Sequence, residues 1–586
     1  MVNLQNIPAI KYTWADLLLS YLAQIEVAYI FGVPGGAIEP LYDAMARCQQ
    51  QNGPGPKPIV ARHEAGAAYM AEGYARETGK LGVCCATTGP GATNLITGIA
   101  SAYTEKIPVL VITAQTAIPQ FGKLGLQESS GDAIDTVGMF SHCTRYNSLI
   151  SHEDQFEGKI ISALMSAYRH PRGPVHLSIP MDLFRLPVTT SATIQLEPLL
   201  REPYAMDQRS LDELCKAMLN ARKLVFFLGH GSKSAIDWII RFAELFNATI
   251  VSTPQGKSWI SGYHPLYRGV FGFAGHGSAR AALSDPEVDQ IIAVGTSLGE
   301  LSTSGWDELL LNNKLIHIEA SLENFTRSPM AKLHIFGNLE CIFSTLVERA
   351  QQAIADRRFC PNLSTTPLPP PNHQVCTPSQ IQLQDPAKYL ECAIPIKPQR
   401  LICELAHRCP DNIRFVIDAG NSWAWATHYL HLRKGKQYHI GMGFGAMAWA
   451  IGAAVGVALA RRDMPVVCIT GDGSFLMSGQ ELTVAVAEQL CIIFVVLNDQ
   501  ALGMVKHGQR LGGGEPIGYA LPPVNFAQMA EAMGAKAYSI HSPEDFAQLD
   551  LSECCRRQAP ILLDVHIDPE EIPPMGVRMK TLKREL

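Results

Sequence analysis

Short apolar runs recur along most of this chain, each followed by a stretch with helical periodicity, and this alternation limits the possible folds more than any other feature. Residues 28–33, 82–87, 108–113 and 174–178 make one series. A second runs through 224–228, 249–252, 290–294 and 315–318, and a third through 414–417, 466–470, 492–497 and 561–565. Apolar runs without a polar alternate are those of strands buried on both faces, and strand–helix repetition implies parallel sheets covered by helices. The expected class is α/β, with three doubly wound parallel-sheet domains. At 586 residues the chain has room for them, since a domain usually holds about 100–200 residues. Residues 363–378 place four Pro within five positions and lose all apolar periodicity, which reads as an extended linker. The expected division is 1–190, 200–360, a linker at 361–397, and 398–586.

Composition narrows the function. Hydrophobic residues make up 47% and charged residues 17% of the chain, a profile of buried cores rather than disorder. The net charge is −6, and no dense basic run precedes Lys580, Lys583 and Arg584, so a small-molecule substrate is expected and a nucleic-acid partner is not. Met1 to Trp14 lacks the layout of a secretory signal. The longest apolar run, 446–460, is closed by Arg461 and Arg462 and falls short of the roughly 20 residues of a membrane span. It reads as a buried helix, and the expected location is the cytoplasm. Fifteen Cys without a C-x-x-C pair suggest reduced core thiols rather than zinc or a disulfide framework.

The chemistry concentrates at strand ends, where ligands of parallel sheets bind. Run 466–470 leads into Gly471-Asp472-Gly473-Ser474, and run 492–497 into Asn498-Asp499-Gln500-Ala501-Leu502-Gly503. Asp472 and Asp499 offer hard oxygen ligands, while Gly473 and Ser474 let backbone N–H groups approach a diphosphate. G-D-G alone is more often a turn, but a second polar strand end makes the pair specific. Near the other end, Arg62-His63-Glu64-Ala65-Gly66-Ala67 opens a helical segment. A glutamate there is by itself usually only favoured by the helix dipole.

With these motifs the chain resembles the thiamine-diphosphate (ThDP) decarboxylase and carboligase superfamily, and within it is most similar to the catalytic large subunits of acetolactate and acetohydroxyacid synthases. The resemblance covers nearly the whole chain and implies pyrimidine-binding, central and diphosphate-binding domains in that order. It implies Mg²⁺ held by Asp472, Asp499 and the Ala501 carbonyl, with Asp499 standing where many relatives carry Asn. Gly420-Asn421-Ser422 would be a further diphosphate anchor, and otherwise an ordinary polar turn. Glu64 matches the acid of an H-E-x-x-A signature, which hydrogen-bonds the aminopyrimidine so that its 4′ nitrogen can take the thiazolium C2 proton. Thr88 to Asn94 matches T/S-G-P-G-A-T-N, giving Pro90 and Asn94 as cofactor contacts, although a tight strand-to-helix turn would look the same. Gly445-Ala446-Met447 resembles the G-x-M segment beneath the bent cofactor, and Met504 follows the metal motif as another cofactor contact. Gln115 and Gln127 correspond to positions around the reacting carbon. Such sites form between subunits, so a homodimer or homotetramer is implied.

The implied reaction is decarboxylation of a 2-oxoacid, pyruvate first, and ligation of the resulting enamine to a second carbonyl compound. No pair of His lies near Gln115, which argues against simple aldehyde release, and His63, His142 and His507 read as structural or solvated. Two departures bear on the acceptor. Thr296 to Leu301 replaces A-R-F-D-D-R and loses both arginines, and His507-Gly508 replaces the expected Gln-Trp. The first change also weakens the case for FAD, for which Gly229-x-Gly231 and Glu319 are the remaining nucleotide-like features. The alternatives are an aldehyde or sulfoacetaldehyde-type acceptor, or a NAD-dependent dehydrogenase built on Gly229-x-Gly231, which leaves Glu64 and Asp472 unexplained. A non-catalytic relative would have been free to lose Glu64.

Overall fold

A computed structural model describes residues 12–188, 192, 194–356 and 378–576. The basic tail and nearly all of the proline-rich stretch lie outside the described residues.

Three six-stranded parallel sheets follow one another along the chain. The first takes β1 (Tyr29–Val33), β2 (Lys57–Val60), β3 (Gly82–Ala86), β4 (Val109–Gln115), β5 (Tyr146–Leu149) and β6 (Val175–Pro180), in the order 2-1-3-4-6-5. The second takes β7 (Leu224–Leu228), β8 (Thr249–Ser252), β9 (Tyr267–Val270), β10 (Gln290–Val294), β11 (Leu315–Glu319) and β12 (Leu333–Phe336), in the order 12-11-10-7-8-9. The third takes β13 (Arg414–Ile417), β14 (Tyr438–Ile440), β15 (Val466–Gly471), β16 (Ile492–Asn498), β17 (Lys536–Ile540) and β18 (Ile561–His566), in the order 14-13-15-16-18-17. The outer two sheets therefore share one strand order, and the middle sheet has the arrangement common in nucleotide-binding folds. β2, β5, β9, β12, β14 and β17 are additional to the apolar runs of the sequence, and all six are edge strands.

The chain forms two compact units. One contains the first sheet together with residues 441–463 and 477–492. In it the helix Trp449–Ala460 lies along the helix Glu64–Thr78, and the backbones approach closely: a Cβ at Gly456 would stand 2.0 Å from the Met70 carbonyl oxygen. Trp449 through Leu459 are buried, as the apolar run led us to expect, and the helix starts only after Ala448, whose φ is +68°. The other unit holds the second and third sheets. Apolar side chains line both faces of its middle sheet, with Phe226, Ile292 and Ile316 on one and Phe227, Ile291 and Leu315 on the other. In a sheet of order 2-1-3-4-6-5 the crevice that receives ligands opens between the first and third strands. In the third sheet these are β13 and β15, with β16 next to them. Among the described residues no helix is long and apolar enough to cross a membrane.

Candidate active site

The ends of β13, β15 and β16 bring three polar segments together. Thr470 on β15 donates to Asp418 Oδ2, just beyond β13, at 2.6 Å and ties the two strand ends. Asp472 follows directly and is 3% exposed. Its Oδ1 accepts the Gly473 N–H at 2.7 Å, while its Oδ2 is buried without a hydrogen-bond partner. The Asn421 Oδ1 is likewise buried and unpartnered. Asn421 opens the helix Asn421–Tyr429 behind Gly420, whose φ of +89° makes the turn, and Ser422 beside it is buried. From the opposite side comes Asp499. A Cβ on Gly503 would stand 2.4 Å from Asn421 Nδ2 and 2.5 Å from Asp499 Oδ2, so both side chains converge on a spot only glycine leaves open.

Burial pushes the Asp472 carboxyl up to about 6. Burial and then the charge of Asp472 push Asp499 up to about 7. Two carboxylates and an amide oxygen held together away from water are costly unless a cation compensates them. A hard divalent cation fits this donor set. Among the described residues no cluster of three or more His, Cys, Asp and Glu could hold a metal. A cation at this place would need further ligands from backbone carbonyls or from a bound molecule's own oxygens. Ala501 is buried and held by a bridge to Ala520, and Gln500 (φ +53°) turns the chain before it. Ser474 is buried in the short helix behind Asp472, and Met504 is half-buried in the first turn of the helix Gly503–Gly512.

The other unit positions Glu64. His63 caps its helix, accepting the Ala65 N–H on Nδ1 at 3.1 Å. The Glu64 Oε2 accepts Asn94 Nδ2 at 2.9 Å, and its Oε1 faces Gly91, where a Cβ would lie 3.3 Å away. Glu64, Gly91 and Asn94 therefore meet, with Pro90 opening the short helix Pro90–Asn94 at its exposed end. A second acid escaped the sequence reading. The Glu481 carboxylate accepts the backbone N–H groups of Arg62 (3.1 Å) and His63 (2.9 Å). Gly66 admits it, since a Cβ there would stand 2.4 Å from Glu481 Oε1. Burial raises Glu481 to about 7, the amides and Arg62 lower it, and the charge of Glu64 adds to the rise. A lone glutamate in an apolar helical stretch carries no signal for this role. Met447 is half-buried between Gly445 (φ +75°) and Ala448 (φ +68°).

Comparison with known proteins agrees with this geometry. Three descriptions match in succession: the N-terminal TPP binding domain of thiamine pyrophosphate enzymes over residues 12–137, their central domain over 211–346, and their C-terminal TPP binding domain over 418–565. An acetolactate synthase of Arthrospira platensis is 30% identical, with 96% of this chain and 95% of that one covered. The chain belongs to the thiamine pyrophosphate enzyme family. The large subunit of acetolactate synthase isozyme 1 from Escherichia coli K12 is 29% identical over 96% of each chain. An X-ray structure from Mycobacterium smegmatis, assigned as thiamin diphosphate-dependent, shares the fold at a TM-score of 0.77 and 21% identity, covering 96% of this chain and 100% of that one.

The protein is a thiamine pyrophosphate enzyme similar to acetolactate synthases, and the Gly229-x-Gly231 feature follows β7 in its central sheet. Gly229 N–H donates to Val294 O at 2.9 Å and Gly231 N–H to Gly295 O at 2.8 Å. Glu319 accepts from Ala320 N–H and Asn324 Nδ2. The groups on which a dinucleotide site would rest bond within the protein.

Gln115 is fully buried, and its Oε1 accepts from Thr88 Oγ1, Thr116 N–H and Ser129 N–H, so it ties loops together and only its Nε2 has no partner. Gln127 stands exposed at φ +58° beside Leu124 and Leu126, and its carbonyl accepts Thr88 Oγ1 at 2.9 Å. His63 is the cap already described and His142 is exposed, whereas His507 is buried at 1% exposure rather than solvated.

Proposed function

We propose that this enzyme decarboxylates a 2-oxoacid, pyruvate first, and joins the remaining acyl fragment to a second carbonyl compound, as an acetolactate synthase does. The observation that supports it most is the buried pair Asp472 and Asp499 at neighbouring strand ends, with the orphaned Asp472 Oδ2 and Asn421 Oδ1 beside it. Asp472, Asp499 and the Ala501 carbonyl would hold Mg²⁺, and Gly420, Asn421, Ser422, Gly473 and Ser474 the diphosphate. When bound, ThDP supplies an electron sink that lets a 2-oxoacid lose CO₂ and its carbonyl carbon act as a nucleophile.

The chain's own groups do the rest. Glu64 holds or releases a proton at the aminopyrimidine, and Asn94 fixes the direction in which its carboxylate points. Pro90, Gly445, Met447 and Met504 supply surface against the cofactor. Decarboxylation followed by ligation is redox-neutral, so no flavin takes part in our scheme. Without arginines in the segment 296–301, an aldehyde or sulfoacetaldehyde-type acceptor is the second reading. A homodimer or homotetramer in the cytoplasm, with a Glu64 half-site of one subunit serving an Asp472 half-site of another, completes the proposal.

Proton NMR of the purified protein with ThDP, Mg²⁺ and pyruvate tests it against a control without thiamine. Acetolactate is the expected product. Pyruvate that persists in both samples would overturn the donor assignment, and pyruvate lost without acetolactate would overturn the acceptor.

A further inference from the structure

The segment that carries Met447 leaves β14 and must adopt two left-handed residues, Gly445 and Ala448, before the helix Trp449–Ala460 begins. Left-handed backbone at an alanine is held only where the surroundings over-determine it. Two buried side chains do so here. The Glu105 Oε1 accepts the Gly443 N–H at the start of the segment. The Arg76 guanidinium lies 4.9 Å from the centre of the Trp449 ring at its end. The two are joined, with Arg76 Nη2 standing 3.0 Å from Glu105 Oε2, and Arg76 also bonds Glu72 Oε1 at 2.7 Å, one turn earlier on the helix that begins with Glu64. The Arg76, Glu72 and Glu105 side chains are 1%, 0% and 3% exposed, so water does not weaken these bonds.

We propose that Glu105 and Arg76 are positioning residues that fasten both ends of the Met447 segment to the Glu64 helix. The charges support an anchoring role: a guanidinium shared by two carboxylates in a dry interior holds each in a fixed direction. Glu105 lies outside every motif that would bind a cofactor, and no part of the proposed chemistry uses it. The proposal rests on the reading that Met447 supports ThDP, and its test separates the two.

Three variants serve, Glu105→Ala, Glu105→Gln and Glu105→Asp, compared with Met447→Ala. The first readout needs no cofactor: hydrogen exchange of the peptide spanning 441–448 in the apo protein. The alanine and aspartate variants, which lose the acceptor or its reach, should exchange there at least about tenfold faster, while glutamine keeps the acceptor and protects the segment. ThDP affinity and kcat should follow the same order, falling roughly 10- to 100-fold for alanine and aspartate with KM for pyruvate nearly unchanged, and recovering in glutamine. Unaltered exchange in Glu105→Asp, or a glutamine variant as exposed as the aspartate one, would overturn the anchoring role. If exchange responds as expected but Met447→Ala binds ThDP and turns over normally, the anchoring stands and the reading of Met447 fails.

Discussion

Asp499 and Asp472 stand at the ends of neighbouring strands, and the charge of Asp472 adds to burial in pushing the Asp499 carboxyl up to about 7. Each carboxylate is thus a burden to the protein without a cation and a ligand with one. Replacing Asp499 by Asn should therefore move two quantities in opposite directions. The apo protein should melt at a higher temperature, because a like charge is gone. The further rise on adding Mg²⁺ and ThDP should shrink. A thermal-shift series with and without Mg²⁺ measures both, and parallel changes would remove the pair from the metal site. Asp472→Ala should weaken Mg²⁺ and ThDP binding together by roughly 10- to 100-fold.

Gly503 leaves open the spot on which Asn421 and Asp499 converge. Gly503→Ala puts a methyl group there and should cost cofactor affinity roughly 10- to 100-fold with little change in the far-ultraviolet circular dichroism. Isothermal titration with ThDP at saturating Mg²⁺ reads the first effect. Undiminished affinity would mean that the two side chains turn aside without consequence.

Glu64→Gln keeps the hydrogen-bonding size of the side chain and the contact with Asn94 but loses the acid. ThDP should still bind, and deprotonation at the thiazolium carbon should slow by roughly 10²- to 10⁴-fold. Hydrogen–deuterium exchange at that carbon, followed by NMR after acid quench, provides the rate. A normal rate would deny Glu64 its role.

Glu481 supplies a pH dependence. Burial lifts its carboxyl from 4.5 to about 7 in the folded protein. Below about pH 4.5 both folded and unfolded chains hold the proton and nothing is lost. Between about 4.5 and 7 the unfolded chain ionises first, so stability falls as pH rises through that window. Glu481→Gln removes the titration and should gain on the wild-type protein by on the order of 2–3 kcal/mol across that range. Urea denaturation of the apo proteins at pH 5, 6, 7 and 8 gives the difference, and a constant offset would show that Glu481 is charged throughout.

The interior strands were legible because a strand buried on both faces is apolar along most of its length. β4 and β16 are fully buried along their length, and both lie in runs visible from the sequence. The edge strands escaped for the converse reason. β5 is half-buried throughout, and the short β12 and β17 mix exposed, half-buried and buried residues, so no continuous apolar run marks them.

Local pattern by itself determined the class of fold, the repetition of three sheets, the helix start that carries Glu64 and the strand ends that carry Asp472 and Asp499, since the spacing of apolar residues and turn motifs acts over short stretches. Only the tertiary structure decided what each group faces. It gave the Gln115 oxygen to neighbouring loops, closed the Gly229-x-Gly231 amides against β10, brought Glu481 to the start of the Glu64 helix, and hung the Met447 segment between Glu105 and Arg76. Arg62 and Glu481 are 419 positions apart in sequence, and a hydrogen bond over that distance depends on how helices and sheets pack, which no local pattern encodes.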